Sequence, residues 1–240
     1  MPVEKFNLTL TKVIQETYDV KTFQFKPDKP VSFKAGQWLM LYLNTKNEKG
    51  GIKRDNRAYS IASSPTNTNL IDINFRVYSF GKFTPILYNL KEGNVVEARG
   101  PFGKFTYEPN EPKDLSFIAG GTGIAPIRGI IQYIKEAKLD VNMTLLFSCK
   151  TTEDIIFDNE FKELVKNKKF KYIPTITRIN ESKQKWDGET GRISKEIIKK
   201  YCNLKSLFYI CGPPEMVDGS VKFLEELGVT KEKIKVEVYH

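Results

Sequence analysis

"LSFIAGGTGIAPIRGIIQYIKEA", Leu115 to Ala137, reads as a buried strand, a glycine turn and an amphipathic helix in immediate succession. The same alternation then repeats. "MTLLFSC" precedes "NEFKELVKN", "FKYIPTIT" precedes "SKEIIKKY", "LFYIC" precedes "PEMVDGSVKFLEEL", and "IKVEV" follows as the fifth strand. Apolar strands separated by helices need crossover connections, which place helices on both faces of a parallel sheet. The second half of the chain is therefore expected to be an α/β domain with a doubly wound, five-stranded parallel sheet.

The turn itself, "AGGTGIAP" from Ala119 to Pro126, sits where the first of these strands meets the first helix. Its glycines remove Cβ atoms that would hold a phosphate away from the backbone, and the helix start offers free N–H groups and positive dipole. A pyrophosphate fits such a turn. The spacing departs from G-x-G-x-x-G, and "SCKTTED" at the end of the next strand puts Lys150 ahead of Glu153. By itself the motif serves equally well as a tight turn.

Upstream the period changes. "FNLTLTKVIQ", "VKTFQFKP", "WLMLYLN", "IDINFRVY" and "NVVEARG" are strand-length segments bounded by turn residues. They imply a small antiparallel β-barrel with one helix at "TPILYNL", capped by Thr84, opened by Pro85 and closed near Gly93. The polar linker "EPNEPKD" divides the chain into expected domains 1–108 and 113–240.

Two stretches of the barrel half carry ligand chemistry. In "RAYSIASSP", Arg57 to Pro65, alternation along a strand sets Arg57 and Tyr59 on one face and Ser60 on the other. A cation beside a ring suits a ligand with a phosphate at one end and a flat ring at the other, although edge strands also expose such pairs without a ligand. In "SFGKFTP", Gly81 and Thr84 lead into the short helix and again offer a glycine turn, a hydroxyl and a helix amino end. An ordinary capped helix explains this second stretch equally well on its own.

Composition excludes several classes. The 240 residues, 40% hydrophobic and 12% aromatic, suffice for one large or two ordinary folded domains. Cys149, Cys202 and Cys211 are too scattered for a zinc or iron–sulfur site, and the one histidine, His240, is terminal. No metal is expected, and no His-based catalytic triad can be built inside the fold. The net charge of +9 is spread along the chain; its densest run, Lys166 to Lys171, has no arginine cluster or nucleic-acid signature beside it. No nucleic acid and no membrane insertion are expected, and "MPVEKFNLTL" has no signal-peptide core, so the expected location is cytoplasmic. Chemistry in such a chain falls to a cofactor.

Taken in order, these motifs resemble the plant-type ferredoxin–NADP reductases and their two-domain flavin-dependent relatives, nearly end to end. "RAYSIAS" resembles the R-x-Y-S flavin motif, "GPFGKF" the stretch that closes the barrel and "AGGTGIAP" the nicotinamide-dinucleotide loop. "YICGPPEM" resembles the Cys-Gly-Pro strand end, and "VEVY" the carboxyl-terminal segment. The resemblance implies that Arg57 holds the FAD pyrophosphate, that Tyr59 packs along the flavin and that Ser60 bonds near its N5 edge. Ala58, Arg76, Val77, Tyr78, Gly81, Lys82 and Thr84 would complete that cradle, with Thr84 where a serine is often seen. In the second half Gly121, Thr122, Gly123 and Pro126 would line the dinucleotide pyrophosphate, and Cys211, Gly212 and Pro213 would border the nicotinamide. Glu237 would stand near Ser60, and Tyr239 would stack on the ring; the family's aromatic residue is commonly last, whereas here His240 follows. The implied catalytic set is Ser60, Cys211, Glu237 and Tyr239.

The implied activity is FAD-dependent oxidation of NAD(P)H with electrons passed to a separate one-electron acceptor. Such chemistry needs nicotinamide C4 within about 3–3.5 Å of flavin N5, a proximity effect of several kcal/mol. Arg178 and Lys185 lie where relatives hold the adenosine ribose and could meet a 2′-phosphate, yet "TITRINESKQKWDGETGRI" also resembles segments of NADH-using relatives. The reading favours NADH and leaves NADPH open. A ferredoxin, a cytochrome or an oxygenase component are the expected partners of a monomer. Two alternatives stand: an FAD-binding subunit without its own NAD(P)H oxidation, and a regulator that has kept the fold alone.

Overall fold

A computed structural model describes residues 3–46 and 51–239. The chain forms two compact units, Met1–Tyr107 with Arg128–Ala137, and Glu108–Ile127 with Lys138–His240.

In the first unit the strands are β1 (Glu4–Gln15), β2 (Val20–Pro27), β3 (Trp38–Lys46), β4 (Ile52–Ser60), β5 (Ile71–Arg76) and β6 (Val95–Phe102). They hydrogen-bond in the order β4-β3-β6-β1-β2-β5, every neighbouring pair antiparallel. The two edge strands approach through a bridge between Ile61 and Ile73, which bends the sheet toward a barrel. Alternate residues point inward: Phe6, Leu8 and Leu10 from β1, Phe23 and Phe25 from β2, Leu39 and Leu41 from β3, all buried in one cluster. Each such side chain contributes about 1.5–3 kcal/mol by leaving water.

Helix α1 (Thr84–Tyr88) adds Leu87 to that cluster, beside the adjoining Phe83. Here the structure corrects the sequence reading. Thr84 is the first helical residue and Phe83 occupies the cap position. The Thr84 hydroxyl instead accepts the Tyr78 N–H at 3.1 Å, because the chain folds back tightly at Gly81. The helix ends at Tyr88, and Gly93, at φ +90°, belongs to a separate turn closed from Asn94 N–H to the Lys91 carbonyl.

In the second unit the strands are β7 (Asp114–Gly120), β8 (Asn142–Cys149), β9 (Phe170–Ile176), β10 (Glu189–Thr190), β11 (Leu207–Gly212) and β12 (Ile234–Val238). They are parallel throughout, in the order β10-β9-β8-β7-β11-β12. Five were expected and the sixth is the two-residue β10, whose polar residues offer no apolar run to read. It is pinned beside β9 by the Thr175 hydroxyl donating to the Gly191 carbonyl at 2.7 Å. Helices α2 (Ile124–Glu136), α3 (Asp158–Leu164), α4 (Lys195–Tyr201) and α5 (Pro214–Glu226) connect these strands. From Arg128 onward α2 groups with the first unit. Ile197 and Ile198 of α4 and Val217 and Leu224 of α5 pack with Ile118, Phe208 and Ile210 on one face. The strand order reverses direction between β7 and β11. That reversal is the switch point at whose carboxyl edge ligands bind in open α/β sheets.

Candidate cofactor-binding sites

The register of β4 on β3 settles which way the RAYS residues face. Tyr59 lies opposite Leu39 and Arg57 opposite Leu41, on the inward face, while Ser60 lies opposite Trp38 on the outward face. Phe83 is the shared floor of the inward pair: the Arg57 guanidinium is 5.7 Å from its ring centre and the Tyr59 ring 6.1 Å. Burial, moderated by Arg57, holds the Tyr59 phenol well above its ordinary pKa, so it remains a neutral donor at physiological pH.

Arg57 is half exposed, at 53% of its side chain, and its Nη1 donates to Asp55 Oδ1 at 2.9 Å and to the Asn56 carbonyl at 2.6 Å. Both bonds use one nitrogen, so the guanidinium keeps three further N–H donors with which to meet an anion. Asp55 counterbalances the cation; burial raises its pKa, but the Asn56 N–H and Arg57 together bring it below the ordinary carboxylate range. Ser60 is buried, 4% exposed.

The other expected cradle residues are placed as follows. Arg76 is paired with Asp19 at 2.9 Å, both largely buried, and the Val77 N–H donates to the Asp19 carbonyl at 2.9 Å. Ala58, Lys82 and Tyr78 are exposed, and Tyr78 lies 5.8 Å from the ring of Phe80, itself 88% exposed. Gly81 donates its N–H to the Tyr78 carbonyl at 2.8 Å; a Cβ there would come within 3.1 Å of both that oxygen and the Thr84 hydroxyl. The helix that follows has five residues, too few to supply the dipole-based anion site the sequence suggested.

At the switch point the glycines differ in what surrounds them. A Cβ on Gly123 would lie 2.4 Å from the Cys211 carbonyl oxygen and 2.7 Å from the Gly212 nitrogen. A Cβ on Gly120 would lie 2.6 Å from the Met216 sulfur. These two let the β7–α2 turn press against the end of β11. Gly121 alone, at φ +54°, has nothing within 4 Å of its missing Cβ, and there an anion can reach the backbone. Thr122 is half-buried beside it, and Pro126 is buried in the first turn of α2, where no N–H is needed.

Cys211 stands between Ala119 on β7 and Glu237 on β12 at the same level of the sheet. Burial, reinforced by the Glu237 carboxylate, pushes its thiol well above the ordinary 9.0. Pro213 is exposed at the cap of α5. The Tyr239 N–H donates to the Gly212 carbonyl at 3.0 Å, carrying the β11–β12 ladder past Val238. Its backbone is thus tied to the strand end rather than frayed; His240 lies outside the described residues. Arg178 is exposed and 3.5 Å from Glu181, and Lys185 is exposed. At the tip of β8, Glu153 Oε1 accepts from the Thr152 hydroxyl at 2.9 Å and the Lys183 N–H at 3.1 Å, joining the 150–154 and 178–183 loops. Among the described residues no helix is long and apolar enough to cross a membrane and no group of His, Cys, Asp or Glu gathers to hold a metal.

The buried thiols carry a prediction. Burial also pushes the Cys202 thiol up to about 12. A disulfide-exchange reagent at pH 8 should therefore label none of Cys149, Cys202 and Cys211 in the native protein, and all of them after denaturation. A folded pKa above the unfolded one stabilises below the unfolded value, so this contribution is lost as pH rises from 9.0 toward about 12. Rapid native labelling of Cys211 would contradict its burial between β7 and β12.

Comparison with known proteins finds one domain family in each half of the chain. Residues 7–107 match the oxidoreductase FAD-binding domain family and residues 117–222 the oxidoreductase NAD-binding domain family. Ferredoxin–NADP reductase B of Sorangium cellulosum (strain So ce56) is 30% identical over 227 residues, covering 91% of this chain and 90% of that protein. The reductase component of phenol 2-monooxygenase from Pseudomonas sp. (strain CF600) is 26% identical over 245 residues, covering 100% of this chain and 67% of that protein. The cytochrome b5 reductase domain of Ulva prolifera nitrate reductase shares the fold at a TM-score of 0.87, with 24% identity and coverage of 98% and 97%.

Proposed function

The chain belongs to the ferredoxin–NADP reductase superfamily of flavoprotein oxidoreductases, and on that premise we propose how its residues divide the work of moving electrons from NAD(P)H through FAD to a separate acceptor. Bound FAD supplies the conversion of a two-electron hydride into single electrons. Arg57 binds the FAD pyrophosphate with its remaining donors, Tyr59 lies along the flavin, and Ser60 holds a hydrogen bond at the N5 edge, where negative charge develops. Arg76, held by Asp19, and the Tyr78–Thr84 turn with Ala58, Val77, Gly81 and Lys82 border the same cofactor. Gly121, Thr122 and Gly123, with Pro126, form the turn that receives the nicotinamide pyrophosphate, Gly121 offering the open backbone and Gly123 seating the turn against the end of β11. Cys211, as a small neutral thiol, borders the nicotinamide with Gly212 and Pro213, while Glu237 orients the polar edge and Tyr239 occupies the ring's place until it arrives.

The observation that carries this reading is the inward pair Arg57 and Tyr59 on the Phe83 floor, a phosphate-binding cation and a flat apolar surface on one face of one strand. NADH is the preferred donor: Arg178 is offset by Glu181, and Glu153 is anchored in the adjoining loop, so a 2′-phosphate would meet carboxylates as well as cations. The acceptor is an acidic one-electron carrier of ferredoxin type, suited to a chain of net charge +9. The working unit is a monomer.

The purified protein should be yellow, and anaerobic NADH should bleach it within seconds, with kcat/KM about tenfold above that for NADPH, or about 1.4 kcal/mol. Colour that persists with both nucleotides would favour the subunit role. A colourless protein that FAD cannot reconstitute would end the proposal.

A further inference from the structure

Arg128 lies on the second turn of α2, in the part of the helix that groups with the first unit. Its side chain is 13% exposed, and its Nη1 donates to Asp72 Oδ2 at 3.0 Å and to the Ala62 carbonyl at 2.9 Å. Asp72 is 4% exposed. The next residue, Gly129, brings the helix onto the same backbone: a Cβ there would lie 2.7 Å from the Ile61 carbonyl and 3.2 Å from that of Ser63. From the other side, Ala62 donates its N–H to the Asp72 carbonyl at 2.8 Å, and Asp72 donates its own N–H to the Ser63 hydroxyl at 3.0 Å. Ile61 is bonded to the Gln37 carbonyl at 2.9 Å.

The three residues following Ser60 are thus clamped between β5 and α2, and a buried ion pair closes the clamp. A buried ion pair contributes little to stability compared with apolar side chains of the same volume, because both charges lose their water. What it supplies is direction: a forked cation bonded at once to a carboxylate and to a named carbonyl permits one placement of that carbonyl. We infer that Arg128 and Asp72 are a positioning pair that fixes the Ile61–Ser63 backbone and, through it, the hydroxyl of Ser60. On this inference both residues act through Ser60 and not by contact with the flavin. The inference rests on the proposed place of Ser60 at the flavin N5 edge.

The test is a double-mutant cycle on the FAD-loaded protein between Ser60→Ala and Arg128→Met, read by the flavin midpoint potential, the flavin absorption bands and the anaerobic bleaching rate with NADH. Each single variant is expected to shift the potential and bands in the same direction and to slow bleaching about tenfold, while the double variant is no slower than either. Arg128→Lys, which keeps the cation, should recover most of the rate. If Arg128→Met folds poorly because Asp72 is left unpaired, Arg128→Met with Asp72→Asn removes the orphaned carboxylate. That pair of changes should restore thermal stability and leave the potential shifted and the rate low.

Independent effects that multiply in the double variant would overturn the inference. So would an Asp72→Asn, Arg128→Met protein whose rate and potential return together with its stability. If wild type is yellow but NADH does not bleach it, the donor half of the proposed function fails, and the potential and absorption bands still decide the role of Arg128. A wild type that binds no FAD defeats both.

Discussion

Gly123→Ala should abolish NAD(P)H oxidation and destabilise the protein by about 3 kcal/mol, the upper range for overpacking in a closely packed interior. The added carbon would lie 2.4 Å from the Cys211 carbonyl oxygen and 2.6 Å from its carbon, and both are backbone atoms that no rotamer change can move aside. The turn and the end of β11 must separate. For a protein of 240 residues the shift in Tm is roughly 6–12 °C. Gly121→Ala is the control that distinguishes packing from binding. Its φ of +54° costs a Cβ about 1 kcal/mol, and nothing lies within 4 Å of the added carbon, so the fold survives. The methyl group would stand where the phosphate is proposed to approach, so KM for the nicotinamide nucleotide should rise while FAD content stays constant. A Gly121→Ala protein less stable than Gly123→Ala would reverse this division of roles.

Arg57→Ala should weaken FAD binding about a hundredfold, measured by titrating apoprotein and following flavin fluorescence. Two charge-assisted hydrogen bonds to phosphate, at roughly 1.5 kcal/mol each, account for about 3 kcal/mol. Asp55 worsens the loss, because it now faces the pyrophosphate without the cation it was paired with at 2.9 Å. Arg57→Lys should recover only part, since an ammonium can neutralise the charge but cannot present a planar fork. Unchanged affinity in Arg57→Ala would remove the pyrophosphate from this strand.

Periodicity made the architecture legible. The change from period-two segments before Glu108 to alternating strands and helices after Asp114 corresponds to an antiparallel sheet followed by a parallel one. The face assignment within RAYS was equally legible, because a strand's alternation leaves Arg57 and Tyr59 no choice but to share a side. Where the local signal was weak the reading faltered. β10 is two polar residues, defined by its neighbour β9 and not by its own composition. Thr84 looked like a cap because hydroxyls at helix starts usually are, but the Tyr78 N–H, delivered by the fold at Gly81, took its oxygen.

The amino-acid sequence by itself determined two halves of different period and the face that Arg57 and Tyr59 share, because each is encoded in the alternation of neighbouring residues. Tertiary structure alone decided which glycine serves packing and which remains open, that Phe83 is the floor beneath Arg57 and Tyr59, and that Arg128 meets Asp72. Those outcomes depend on atoms brought together from distant positions, 56 residues apart in the last case, and no local pattern of side chains records such a meeting.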